Sequence, residues 1–365
     1  MPLTFRRVTL ADRPAMLDIC ATVWDGDDYL PQIFEAWVAA PEGQFTALET
    51  EGRVVALAHL TRLAPGEWWL EGIRVHPDYR GRGLAAALHD YHLNLWKQIG
   101  EPGTLRLVTG QPAVIKICER SGFTKALAFN FSEAPLLTDA PPRFTLVTLP
   151  EAERAFNLVA RAPFYAEQNG LCDLGWRFRA LTPAYFAERV TAGRVYRWGD
   201  WEAALVTLLP EETDEYYPGL RVQFPAVSPA RLASFFTDVR RLAYALGQPR
   251  VVYCPPPRPD LLAQLKLIGY APPWDETEYC FEMRQSTVNA PRIDFSYTIY
   301  WTKQARAWDT VRRAAIHTAL APVLAQPGFE PNAYARRYAV SGLDDLHHSG
   351  ASLLALKKVL EAFSE

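Results

Sequence analysis

One stretch constrains this chain more than any other: Val75-His76-Pro77-Asp78-Tyr79-Arg80-Gly81-Arg82-Gly83-Leu84-Ala85-Ala86-Ala87-Leu88. An apolar strand ends at Val75, and Pro77 prevents its continuation. Leu84, Leu88, Tyr91 and Leu95 then recur at the spacing of one helix face. The first turn of a helix leaves its N–H groups unpaired, with a partial positive charge behind them. Gly81 and Gly83 lack the Cβ atoms that would hold a diphosphate away from those groups. Arg80 and Arg82 add positive charge at the rim. The segment reads as a pyrophosphate cradle between a strand and a helix, which points to an α/β fold.

A chain of 365 residues has room for about two domains at ~150 residues each. Internal repetition supports that division. Phe5-Arg6-Arg7-Val8-Thr9-Leu10-Ala11-Asp12 lines up with Phe144-Thr145-Leu146-Val147-Thr148-Leu149-Pro150-Glu151, each a strand, a Thr and an acidic residue opening a helix. Ile117 to Phe123 echoes Leu265 to Tyr270, each a helix end stopped by Gly before an aromatic ring. Two diverged copies of one fold are therefore expected, at 1–135 and 143–285, joined by the Pro-bearing stretch Ser132 to Pro142. Strands are expected near 3–8, 45–50, 53–63, 67–75, 104–109 and 123–131, with helices near 12–22, 29–39, 83–99 and 112–121. The second copy is expected to place strands near 143–147, 194–198, 202–209, 219–224, 250–254 and 278–284, and helices near 150–161, 229–246 and 259–268. Residues 286–365 do not fit the repeat and read as a helical C-terminal extension, with helices over Tyr300–Leu324 and Leu343–Phe363.

Composition excludes several classes. Lys and Arg number 38 against 41 Asp and Glu, for a net charge of −3, so no basic excess drives binding to nucleic acid. No run approaches the ~18 apolar residues of a membrane helix, and the N-terminus carries charge where a signal peptide is apolar. Five scattered cysteines, none spaced as CxxC, argue for a reducing compartment without disulfides or zinc. The expected setting is the cytoplasm. His89 and His92 stand at helical spacing but have no third ligand, so no metal site is expected.

Two kinds of protein use such a cradle. Gly81-x-Gly83-x-x-Ala86 passes a loose dinucleotide-binding pattern, but Pro77 and Tyr79 intervene and nothing acidic closes the next strand, Leu105-Arg106-Leu107-Val108-Thr109-Gly110. The segment V-x-P-x-Y-R-x-x-G-x-A instead resembles the acetyl-CoA signature of the GNAT acetyltransferase superfamily, with Arg80, Gly83 and Ala85 at its defined positions. Glu119-Arg120-Ser121-Gly122-Phe123 is similar to that family's Y-E-K-x-G-F ending, so the resemblance covers about 1–131. A tandem arrangement with a degenerate second copy also occurs in that superfamily. The resemblance implies acetyl-CoA as co-substrate, with no metal. It also implies that Ile73, Arg74 and Val75 offer main-chain groups to pantetheine where two parallel strands splay, and that Arg80, Gly81, Arg82, Gly83, Leu84 and Ala85 wrap the diphosphate.

Direct transfer to an amine needs a base for the ammonium and a donor for the leaving thiolate. The family's base position falls on Glu71. Strand alternation places Glu71 on one face with Ile73 and Val75, and burial beside Trp69 is expected to raise its pKa. Glu67 is the reserve candidate. The family's Tyr acid is replaced by Cys118, which reads either as a proton donor or as plain packing. Trp24-Asp25-Gly26-Asp27-Asp28-Tyr29 suits a cationic amine through charge and cation–π contact, or is a capping turn. The second copy has Ser228 and Pro229 but no glycine at its strand-to-helix turn, and is expected to bind no CoA. Its expected role is structural, or to wall the acceptor site, and the chain's 11 Trp, 16 Tyr and 18 Phe suit interdomain packing and a homodimer. The expected function is acetyl transfer to a small-molecule or peptide amine, with no nucleic-acid or membrane partner. The alternative is a CoA-binding regulatory or scaffold protein without catalysis.

Overall fold

The computed structural model describes residues 2–201, 203–206, 217–274 and 276–285. It divides into two compact units, residues 1–96 with 103–284 and residues 97–102 with 285–365. The first unit holds both sheets. The extension at 286–365, with its two expected helices, lies outside the described residues.

The N-terminal half runs β1 (Thr4–Arg7), α1 (Arg13–Cys20), α2 (Leu30–Ala39), β2 (Gly43–Thr50), β3 (Arg53–Ala64), β4 (Glu67–Val75), α3 (Leu84–Ile99), β5 (Gly103–Thr109), α4 (Pro112–Arg120) and β6 (Thr124–Asn130). It continues through β7 (Ser132–Ala134), β8 (Phe144–Leu146), α5 (Ala152–Ala160), α6 (Pro163–Glu167), β9 (Leu171–Asp173), β10 (Phe178–Ala180) and α7 (Pro183–Thr191). Then come β11 (Val195–Trp198), β12 (Ala203–Val206), β13 (Leu220–Ala226), α8 (Leu232–Ala245), β14 (Val251–Tyr253), α9 (Pro259–Leu267) and β15 (Thr277–Gln285). Prolines 14, 31, 112, 163, 183 and 259 sit in the first turns of their helices, where the missing N–H costs nothing.

Two large sheets organise these elements, with β9 and β10 paired as a separate two-stranded hairpin. One has the order β1-β2-β3-β4-β5-β15-β6, the other β7-β14-β13-β12-β11-β8. Each contains one parallel pair with a crossover helix, β4 with β5 and β13 with β14. The two halves exchange their final strands. β15, which the sequence places at the end of the second copy, pairs antiparallel with β6 in the first sheet. β7, inside the expected linker, pairs antiparallel with β14 in the second. Pairing partners so distant in sequence leave no local signature, so the boundaries at 135 and 143 cut across an exchange they could not reveal.

The sequence echoes correspond to matching local structure. Thr9 and Asp12 form a capping box, as do Thr148 and Glu151. Gly122 and Gly269 both end helices at φ 87°, each followed by an aromatic N–H bonded back to a helix carbonyl (Phe123 to Cys118, Tyr270 to Leu265). Both halves also bulge at the same place. Leu57 opposes Arg74 and His59 opposes Glu71, so Gly72 and Ile73 share one partner; Ala204 opposes Ala226 and Val206 opposes Gln223, so Phe224 and Pro225 do the same. Gly72 has φ 65° and Phe224 φ 44°.

Candidate active site

The parallel β4–β5 ladder joins Glu67, Trp68 and Trp69 to Thr104, Leu105 and Arg106. Gly72–Val75 and Leu107–Thr109 lie beyond it, which opens the expected gap between the strands. At the end of β4 the chain makes a short turn over Pro77–Tyr79 and enters α3. The first bond of that helix runs from the Ala87 N–H to the Gly83 carbonyl, so the N–H groups of Leu84, Ala85 and Ala86 precede the helical ladder. Gly81 and Gly83 are exposed at φ 75° and 78°, and a Cβ on either would meet no atom within 4 Å. That free space at a helix N-terminus fits a diphosphate. Arg80 donates from Nε to the Val75 carbonyl at 3.3 Å, and Arg82 donates to the Asp78 carbonyl at 2.9 Å while lying over the Tyr79 ring. Ile73 and Val75 pack toward α3 with Leu84 and Leu88. The cofactor-binding residues read from the sequence therefore share one strand-to-helix corner.

The bulge alters the catalytic reading. Because Gly72 and Ile73 oppose a single residue, Glu71 and Arg74 point to the face of α1 and α2, while Ile73 and Val75 point to that of α3. The expectation that Glu71 shares a face with Ile73 and Val75 fails for this reason. Nor is the Glu71 pKa raised. Burial alone would raise it, but the Arg177 guanidinium and His59 together outweigh burial and hold the carboxyl below its ordinary value. Arg177, in the β9–β10 hairpin, grips Glu71 with both Nε (2.8 Å) and Nη2 (2.9 Å). His59 Nδ1 lies 3.2 Å from Glu71 Oε1, and its ring stacks on Trp37 at 4.4 Å. Glu67, the reserve candidate, is held by Arg106, which also donates to Glu282 at 3.1 Å.

Cys118 is fully buried among Leu93, Trp96, Leu105, Leu107 and Phe123, and that burial pushes its thiol up to about 12. That burial suits the packing reading of this residue. Cys118→Tyr is accordingly expected to destabilise the fold by about 1–3 kcal/mol through overpacking, whereas Cys118→Ala should cost less and leave turnover intact. Chemical denaturation checks the first, and steady-state rates the second.

The acidic, aromatic loop before α2 already holds a cation of this chain. Asp28 accepts from Arg74 Nε at 2.7 Å and from Nη2 at 3.0 Å. The Arg74 guanidinium also lies 5.0 Å from the Trp24 ring centroid and 5.3 Å from that of Tyr29. Asp28 is therefore engaged by a cation of the chain itself, and it also accepts from the Leu30 N–H at the start of α2 at 3.1 Å. His89 and His92 are buried and serve the core, His92 donating from Nδ1 to the Leu88 carbonyl at 3.0 Å.

Sequence reasoning missed Arg177 and the hairpin that carries it. Their only signal was an Arg flanked by Trp176 and Phe178, which reads equally well as surface turn.

Comparison with known proteins then decides the affiliation. A family model described as Acetyltransferase (GNAT) family matches residues 13–123. Those residues are a GNAT-family domain. The GNAT segment is 33% identical over 98 residues to human "Probable N-acetyltransferase 16", covering 27% of this chain and 27% of that protein. It is 31% identical over 87 residues to "Histidine N-acetyltransferase" of Scomber australasicus, covering 24% of this chain and 26% of that protein. This chain thus spans about a quarter of the length of those relatives. Among solved structures, a GCN5-related N-acetyltransferase from Sphaerobacter thermophilus superposes with a TM-score of 0.51 at 13% identity, covering 77% of this chain and 95% of that one. At such identity the likeness concerns the fold, a mixed α/β sheet.

Proposed function

We propose that this protein is an N-acetyltransferase that moves an acetyl group from acetyl-CoA directly to the amine of a small molecule or peptide. One observation carries the reading: a single strand, β4, both opens the gap beside β5 and ends in the glycine cradle of α3. Main-chain groups of Ile73, Arg74 and Val75 would meet the pantetheine amides in that gap. Arg80, Gly81, Arg82, Gly83, Leu84 and Ala85 would hold the diphosphate. Glu71, gripped by Arg177, positions the opposite wall of the site rather than serving as a free base. The names of the relatives support an amine acceptor, histidine among them.

The six-stranded sheet is read as a second, degenerate copy of the same fold. Its matching strand order, capping box, helix-end glycine and bulge support this. Its strand-to-helix turn, Ser228 into Pro229–Arg231, has no glycine, so this copy holds no CoA. It also supplies the β9–β10 hairpin that carries Arg177.

Calorimetric titration of the full chain is expected to show one acetyl-CoA bound with micromolar affinity, against no binding of NADH. Thiol release should then appear with one or more of three acceptors: L-histidine, a short peptide with a free amino terminus, and spermidine. Tighter binding of NADH would overturn the acetyl-CoA assignment. Acetyl-CoA binding without transfer to any of the three would favour the CoA-binding regulatory reading.

A further inference from the structure

Four acidic side chains alternate along two strands on the face of the first sheet that meets the second half of the chain. Glu67 and Glu71 lie on β4, Glu278 and Glu282 on β15. Glu282 reaches Arg106, which fixes the level of β15 against β5. Period-two alternation then brings Glu278 level with Gly110, at the end of β5. The structure agrees: a Cβ on Gly110 would lie 3.1 Å from both Glu278 carboxylate oxygens. Glu71 on β4 and Glu278, beside the end of β5, therefore flank the gap from either side. Both lie on the face away from the α3 cradle, so an acceptor entering there meets them first.

Only one of the four lacks a cation. Glu71 is held by Arg177, while Glu67 and Glu282 are held by Arg106. Glu278 has no hydrogen-bond or ion-pair partner among the described residues. Of the other charges nearby, Glu276 stands just before β15, and Lys125 on β6 lies over the Tyr279 ring on the other face. We propose, on the acetyltransferase reading above, that Glu278 is the general base, delivered to the site by the strand exchanged from the second half. Its carboxylate takes one proton from the acceptor ammonium. The freed nitrogen lone pair forms the bond to the acetyl carbon, the carbon–sulfur bond breaks, and the nitrogen's surplus proton balances the departing thiolate. Burial, reinforced by Glu276, pushes Glu278 up to about 7, a value suited to this exchange near neutral pH.

The test compares the full-length wild type with Glu278→Gln and Glu276→Gln, using acetyl-CoA and the three amines above. Glu278→Gln should lower kcat/KM by about 10²–10⁴-fold, leave acetyl-CoA affinity unchanged, and abolish the acidic limb of the pH–rate profile. Glu276→Gln should keep its activity but move that limb to lower pH, because a like charge has been removed. Folding provides an independent check. Between the ordinary value of 4.5 and about 7 the folded chain binds the Glu278 proton more tightly than the unfolded chain. This group's contribution to stability therefore falls as pH rises through that window, and Glu278→Gln should be at least as stable as wild type at pH 8. An equally active Glu278→Gln with an unaltered profile overturns the assignment alone. Wild type that neither binds acetyl-CoA nor releases CoA with any amine overturns the acetyltransferase reading, and this assignment with it.

Discussion

Gly83→Asp is expected to abolish acetyl-CoA binding in a chain that still folds. The substitution is tolerable locally: the position is exposed, a Cβ meets nothing within 4 Å, and Asp accepts positive φ better than most residues. The same free space is the cradle itself. A carboxylate there would fill it and repel the diphosphate, and would satisfy the first-turn N–H groups in the ligand's place. A loss of at least about a hundredfold in affinity, roughly 2.7 kcal/mol, should appear in calorimetric titration. The unfolding midpoint is expected to move little. Wild-type affinity in the folded variant would mean that the phosphates lie elsewhere.

Gly72→Ala should produce a large loss of stability in the first sheet. Its φ of 65° costs a residue with a Cβ about 1–2 kcal/mol. The added atom would also sit 2.6 Å from the Trp37 ring. Trp37 cannot easily yield, since it packs against His59 at 4.4 Å and Phe45 at 5.3 Å. Overpacking of that kind adds about 1–3 kcal/mol, giving about 2–5 kcal/mol in all. Denaturant unfolding with an unchanged m-value would register this as a lowered midpoint. Glu71 follows Gly72 onto its face, so the surviving folded fraction should also show disturbed turnover. An unchanged midpoint would show that the bulge is not held by Gly72.

The cradle and the elements around it were legible because their causes are local. Pro77 ends a strand, Gly81 and Gly83 open a helix terminus, and the apolar period from Leu84 to Leu95 specifies the face that α3 buries. Thr9 with Asp12 and Thr148 with Glu151 were readable in the same way, since a capping box spans only four residues. The short elements from α6 to α7 escaped notice, being too brief for period to distinguish them from loop.

The catalytic face was a different matter. Strand parity placed Glu71 beside Ile73 and Val75, but one bulge, requiring the positive φ of Gly72, turned it to the opposite face. Composition left the Trp24–Tyr29 loop open between cation binding and a capping turn, and only packing could show that Arg74 pairs with Asp28. Burial was expected to raise the Glu71 pKa, and Arg177, from a hairpin more than a hundred residues away, reversed the sign. The exchange of β7 and β15 belongs to the same class. Backbone groups at a sheet edge will pair with any strand of suitable shape, so which half supplies it depends on the closed three-dimensional arrangement. Propensity, capping and glycine chemistry act over a few residues and are written into the chain. Register, facing and the electrostatic company of a buried carboxylate arise only when distant segments meet, and these decide which glutamate on this sheet has no partner among the described residues.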